Sequence, residues 1–371
     1  MPRSRSRLLA LAIGIPLALL AASPVKQAPA SAAGTTWHEV TEVEGKGWAA
    51  TKHRFDRLPA KAEGVVREPV WSLSNDSSGL GVRFETDSPL ISVRWALRKQ
   101  RLEMPHMAAT GVSGVDLYIK DGASCHFVGV GQPRQFPANE EIVAAGLPGK
   151  LGEYRLNFPL YNGVDHIEIG VAEGTKFRFL PADAAKPVVF YGTSITQGGC
   201  AARPGMAYPA ILSRRLGVPA INLGFSGNAK TEPEVATLLA ELDPAVFVLD
   251  SLPNLSTDEV AERIGPFLET IRKAHPDTPI VLVENLVYAG SAYLPDRASK
   301  VQGSNKALNA AFKARIDAGD KHLTLVPAKD LIGLDDEGTV DGSHPTDLGF
   351  VRIADALEPF IRHALADQSK P

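Results

Sequence analysis

Cysteine is scarce in this chain. Of its 371 residues only Cys125 and Cys200 carry a thiol, too few to set a disulfide framework, and a buried thiol fits each of them better than a bond between them. No C-x-x-C or H-E-x-x-H pattern occurs, so neither a metal nor a cofactor is expected. Positive charge is not in excess: 39 Lys and Arg face 42 Asp and Glu, a formal charge of −3. That balance argues against nucleic acid as a partner. Past the first two dozen residues there is no long apolar run, which argues against stable membrane association.

What the N-terminus does have is a leader pattern. Arg3, Arg5 and Arg7 precede an apolar run from Leu8 to Ala22, and Ala28-Pro29-Ala30-Ser31-Ala32-Ala33 supplies small residues of the Ala-x-Ala type. Residues 1–32 therefore read as a secretory signal peptide, which predicts a secreted or periplasmic protein. A membrane anchor is the alternative, but the run is shorter than the ~20 residues a span needs and contains Pro16. Removing 1–32 takes away four basic residues and no acidic one, moving the formal charge from −3 to −7.

Two textures follow. Residues 33–182 hold short runs that alternate apolar and polar residues, among them 70–73, 80–84, 91–95, 115–119, 154–158 and 166–171, separated by turns such as Asp87-Ser88-Pro89 and Tyr161-Asn162-Gly163. Many short strands with regular turns predict an all-β sandwich or jelly roll. After Pro187 the period changes. Strand-like runs at 188–191, 219–223, 245–250, 279–284 and 322–326 alternate with helical stretches near 207–216, 231–241, 256–274, 299–318 and 346–366. Residues 183–371 are thus expected to form an α/β domain with about five parallel strands and helices on both faces.

The chemistry-bearing residues fall where those strands end. Val188-Val189-Phe190-Tyr191-Gly192-Thr193-Ser194 delivers a serine to the carboxyl edge of a buried strand, where open parallel sheets collect reactive groups. A serine hydroxyl is a weak nucleophile; it needs a base, a group to orient that base, and donors for an oxyanion. Asp341-Gly342-Ser343-His344 offers the first two, because an aspartate three residues before a histidine can fold back onto one ring nitrogen. In isolation that pattern is equally a loop histidine beside a turn aspartate. Asn222-Leu223-Gly224-Phe225-Ser226-Gly227-Asn228 leaves the second strand through glycines that let backbone amides approach a ligand, or it is merely a loop. Asn254 leaves the third strand, either to aim its amide at an oxyanion or to cap the next helix.

Together these four fragments resemble the SGNH or GDSL family of serine hydrolases, whose blocks carry Ser, Gly, Asn and His in this order. The resemblance covers residues 187–366 and implies a flavodoxin-like catalytic domain. It implies Ser194 as nucleophile, His344 as general base and Asp341 as its orienter, with the Ser194 and Gly227 amides and the Asn254 side chain forming the oxyanion hole. Two positions depart from the pattern: Thr193 stands where the family has Asp, and Leu252 where its third block has Gly. Gly114-Val115-Asp116-Leu117-Tyr118 is similar to the GxDLY signature of a β-rich domain preceding such hydrolases in secreted bacterial proteins. Because related two-domain enzymes remove acetyl groups from polysaccharides, the resemblance implies a carbohydrate acetylesterase and an acylated carbohydrate partner.

The absence of a long apolar lid favours a short acyl group over a fatty chain. A lipase, arylesterase or acyltransferase is the enzyme alternative, and a non-catalytic glycan-binding protein the remaining one. The polar loop 98–107 is long for a sandwich connection and is expected to reach the catalytic crevice. Trp37, Trp48, Tyr208, Tyr288 and Tyr293 are candidates for stacking on sugar, with core packing the competing role of each.

Overall fold

A computed structural model describes residues 34–368; the leader, 1–32, lies outside them. The first half forms two antiparallel sheets. Its elements are β1 (Thr35–Glu39), α1 (Glu68–Ser74), β2 (Gly81–Thr86), β3 (Leu90–Leu97), α2 (Ala109–Val112), β4 (Val115–Asp121), β5 (Ser124–Gly131), β6 (Ala138–Ala145), β7 (Gly152–Asn157), β8 (Val164–Ala172) and β9 (Phe177–Phe179). Strands run in the orders β1-β8-β3-β6 and β5-β4-β7-β2-β9. The inward residues of both sheets, such as Val93, Trp95 and Ile169 from one and Phe84, Leu117 and Leu156 from the other, share a single core. The alternation read from the sequence is the signature of this arrangement, clearest in β2 and β8, where one face is buried and the other partly exposed.

One expected strand is a helix. Val70-Trp71-Ser72-Leu73 lies in α1, whose first turn carries Pro69. Proline suits a helix start and would cost a strand a donor. Val70 is buried with Ser74 one turn on, and Trp71 and Leu73 pack on the core of the second half rather than of the sandwich.

That second half is doubly wound. Strands β10 (Val188–Gly192), β11 (Ala220–Gly224), β12 (Val246–Asp250), β13 (Ile280–Val283) and β14 (Leu323–Val326) form a sheet in the order β11-β10-β12-β13-β14. All pairings are parallel. This is the flavodoxin-like order, whose switch point lies between β10 and β12. Alternate residues of β10 face opposite cores. Val189 and Tyr191 join α5 (Pro233–Leu239) and α6 (Thr257–Ala274), whereas Val188 and Phe190 join α4 (Tyr208–Leu216) and α8 (Asp347–Gln368). The remaining helices are the single turn α3 (Ser194–Gln197) and the long α7 (Pro295–Asp317).

The described residues, 34–368, fall in one compact unit. The change of architecture near 182 is therefore not a gap in packing, since Leu58, Ala62, Val66 and Val70 sit in a core of the parallel sheet.

Candidate active site

Strand β10 ends at Gly192, in register with Gly224 on one side and Asp250 on the other. A side chain at Gly192 would collide with Thr196, and one at Gly224 with the Gln197 backbone. Two glycines thus let α3 sit tightly on the strand ends. Its first residue is Ser194, and Thr193 is its N-cap, accepting the Ile195 N–H through its hydroxyl at 3.3 Å. Thr193 is fully buried. A hydroxyl caps there without the cost of burying an aspartate's charge.

Ser194 Oγ lies 2.9 Å from His344 Nε2, and His344 Nδ1 lies 2.7 Å from Asp341 Oδ2. The other Asp341 oxygen accepts the His344 N–H at 2.9 Å and the Ser343 N–H at 3.1 Å, so the same carboxylate shapes the turn and holds the ring. Burial pushes the Asp341 carboxyl up, but hydrogen bonds from the backbone and ring of His344 and from the Ser343 amide outweigh it. The group is held well below the usual carboxylate range. An ionised Asp341 favours the tautomer with hydrogen on Nδ1, leaving Nε2 to accept the serine proton.

Ser194, Asn254, Asp341 and His344 line one crevice of about 420 Å³, together with Tyr288, Arg297 and Lys300. Gly227 lies outside that lining, in the turn after β11. It is exposed, its φ is +67°, and among the described residues its N–H has no hydrogen-bond partner. The helix-cap alternative for Asn254 falls away. Helix α6 is capped by Ser256, which accepts the Glu259 N–H while Glu259 accepts the Ser256 N–H. Asn254 closes a single 3-10 turn, Leu252–Asn254, and donates through Nδ2 to the Asn228 carbonyl. Leu252 fills core space at 1% exposure, a use for the side chain where the family pattern has none.

The loop 98–107 does reach this region: a turn closed by Met104 and Met107 carries His106, whose ring centroid is 5.8 Å from that of His344. Of the five aromatic candidates only Tyr288 lines the crevice. Tyr208 is fully buried. Trp48 binds Glu241, Trp37 lies under the Arg94 guanidinium, and Tyr293 stands in solvent. Both cysteines are free, and Cys200 is buried, its thiol pushed up to about 12 by burial and by the nearby Asp341 charge.

Sequence reasoning missed two buried polar groups beneath Ser194. Asp250 accepts hydrogen bonds from Tyr208 at 3.0 Å and Thr196 at 3.2 Å, and burial raises its carboxyl to about 7 against the pull of those bonds. Gln197 binds the Ser226 N–H. A polar residue ending a short apolar run was the only signal Asp250 offered, and Gln197, after Ser194-Ile195-Thr196, offered none. Among the described residues no group of His, Cys, Asp or Glu has the arrangement of a metal site, and no helix is long and apolar enough to cross a membrane.

A doubly wound sheet with a Ser-His-Asp line at its carboxyl edge defines a serine hydrolase of flavodoxin-like architecture. The comparisons make this specific. The GDSL-like lipase/acylhydrolase family model matches residues 185–362, and the model for the N-terminus of SGNH-hydrolase-type esterases, GxDLY, matches 35–177. A solved protein from Bacteroides ovatus described as a GDSL-like lipase is 35% identical, with 90% of this chain and 98% of that one covered and a TM-score of 0.85. A salicylyl-acyltransferase from a tetracycline biosynthetic pathway is 20% identical, covering 91% and 95%, at a TM-score of 0.68. An acetyl xylan esterase from the rumen bacterium Butyrivibrio proteoclasticus is 13% identical, covering 90% and 99%, at 0.57. The last two share the fold. No curated protein matches. The chain belongs to the SGNH/GDSL family and is an esterase.

Proposed function

We propose that this protein is a secreted or periplasmic serine esterase that removes acetyl or similarly short acyl groups from an O-acylated polysaccharide or oligosaccharide. Residues 183–371 are its catalytic domain and 33–182 an accessory domain. The observation that carries the reading is the continuous line Ser194 Oγ, His344 Nε2, His344 Nδ1, Asp341 Oδ2, with links of 2.9 and 2.7 Å.

His344 takes the Ser194 proton as the hydroxyl attacks the ester carbonyl. The Ser194 and Gly227 amides and the Asn254 side chain hold the oxyanion. Collapse expels the alcohol, which leaves with the proton from His344; water, deprotonated by the same ring, then releases the carboxylic acid and restores Ser194. Asp341 keeps the ring oriented and stabilises the imidazolium. The crevice of about 420 Å³ sets the charged groups of Asp296, Arg297 and Lys300 beside Ile195, Pro253 and Tyr288, and this mixed wall suits a short acyl group on a sugar better than a fatty chain. An acetyl xylan esterase shares the fold. The acyltransferase among the structural relatives supports a second reading, transfer of the acyl group to a hydroxyl other than water.

The test is acetate release from O-acetylated polysaccharides beside p-nitrophenyl esters of increasing chain length, with Ser194→Ala as control. Serine-dependent release from a glycan with little action on long esters supports the proposal. Preference for long chains moves the protein to the lipases, and acyl transfer to added sugar outpacing hydrolysis favours the second reading.

A further inference from the structure

Gln197 closes α3, three residues after Ser194, and is fully buried. Its Oε1 accepts the Ser226 N–H at 2.9 Å, which fixes the residue immediately before Gly227. Its Nε2 donates to the Leu160 carbonyl at 3.0 Å and to Asp76 Oδ2 at 3.3 Å, so the amide cannot flip without losing all three bonds. Asp76 is itself fully buried, and its other oxygen is paired with the Lys99 ammonium. Ser78 Oγ donates to the Gln197 carbonyl at 2.6 Å.

A second brace comes from Arg57, which is 1% exposed. Its Nη1 donates to the Asn222 and Gly224 carbonyls at 3.1 and 2.8 Å, and its guanidinium lies 5.0 Å from the centre of the Phe225 ring. Gly227 itself is packed against nothing: a Cβ there would meet no atom within 4 Å, and the far side of the turn is tied down through the Asn228 carbonyl, which accepts from Asn254. Every one of these outside partners, Arg57, Asp76, Ser78, Lys99 and Leu160, belongs to the sandwich half.

We infer that the N-terminal half completes the oxyanion site, with Gln197 as the positioning residue: oriented by Asp76 and Lys99, it holds the Ser226 amide and thereby presents the neighbouring Gly227 N–H. The inference rests on the proposed role of Gly227. Gln197 touches no substrate; it acts through a turn whose displacement weakens a donor at the moment charge develops.

The experiment compares wild type with Gln197→Met, similar in length but without the acceptor. On p-nitrophenyl acetate kcat should fall roughly 10- to 100-fold with KM within threefold, and a boronic acid, which forms a tetrahedral serine adduct, should bind more weakly in step with the loss of kcat/KM. A packing role alone would lower the melting temperature and leave kcat and boronate affinity unchanged, which overturns the inference. Should Gln197→Met fail to fold, the pair Asp76→Leu with Lys99→Met decides, because it removes the buried carboxylate together with its partly exposed ammonium partner and leaves neither charge of the pair behind. It should lower kcat severalfold with the same signature, and unaltered kcat overturns the inference. Wild-type turnover that survives Ser194→Ala would instead sink the underlying site assignment.

Discussion

Asp250 makes the stability of this fold depend on pH in a direction opposite to that of most carboxylates. Its side chain ends β12 beside the Ser194 turn, fully buried, with hydrogen bonds from Tyr208 and Thr196 to one oxygen. Burial raises the carboxyl from its ordinary 3.8 to about 7. The unfolded chain loses this proton near pH 4 and the folded chain near pH 7, so between those values the folded state binds more proton and stability falls as pH rises. About 3 pH units at ~1.4 kcal/mol each give an upper bound of ~4 kcal/mol, complete above pH 7. Asp250→Asn keeps the shape and an acceptor for Tyr208 and Thr196 but cannot ionise. Urea midpoints for wild type and variant, measured from pH 4 to pH 8, should therefore diverge as pH rises, with the variant the more stable at pH 8. A difference between the two that does not change with pH would refute the reasoning.

Asn254→Ala should lower kcat by roughly 10²- to 10³-fold, about 2.7–4 kcal/mol of transition-state stabilisation, with little change in KM. Steady-state kinetics on p-nitrophenyl acetate check it, and full kcat would remove Asn254 from the oxyanion hole. Asp341→Asn should cost about 10²- to 10⁴-fold in kcat, since an amide can hold the ring in the wrong tautomer; activity near wild type would mean that the backbone orients His344. Gly342 has φ +96° and lies against the Arg297 guanidinium. Gly342→Ala should cost about 1–2 kcal/mol of stability and displace the Asp341–His344 turn, seen as a lower melting temperature together with lower kcat. An unchanged melting temperature would count against that account.

The parallel sheet was legible because its central strands are buried on both faces and bounded by turn residues, so period and punctuation agree. Val188–Tyr191, Val246–Leu249 and Ile280–Val283 are continuous apolar runs with every residue buried. The sandwich was less so. Strands β5 and β6 have mixed, partly exposed patterns with no clean alternation, and β9 has three residues, too few to establish a period. Four residues of alternation at 70–73 could not tell α1 from a strand; Pro69 was the better guide.

The polar residues that brace the site were illegible for a deeper reason. Ser194 and His344 announce themselves through local patterns, even though they meet across 150 positions. Gln197 and Asp76 sit 121 positions apart and Arg57 lies 167 from the Gly224 carbonyl, and none of them stands in a motif whose chemistry demands its type. Their identity is set by what burial leaves unpaired: strand-end carbonyls at 222 and 224, an amide at 226, a carboxylate at 76. A buried donor or acceptor left without a partner costs about 1–3 kcal/mol, so each must be met by whichever chain segment packs there. In this fold the segment comes from the other half of the molecule. The GxDLY-type half is then a structural condition for a well-held oxyanion turn: Arg57→Met, which leaves the Asn222 and Gly224 carbonyls without their donor, should lower both the melting temperature and kcat on p-nitrophenyl acetate, and an unchanged kcat would count against that dependence.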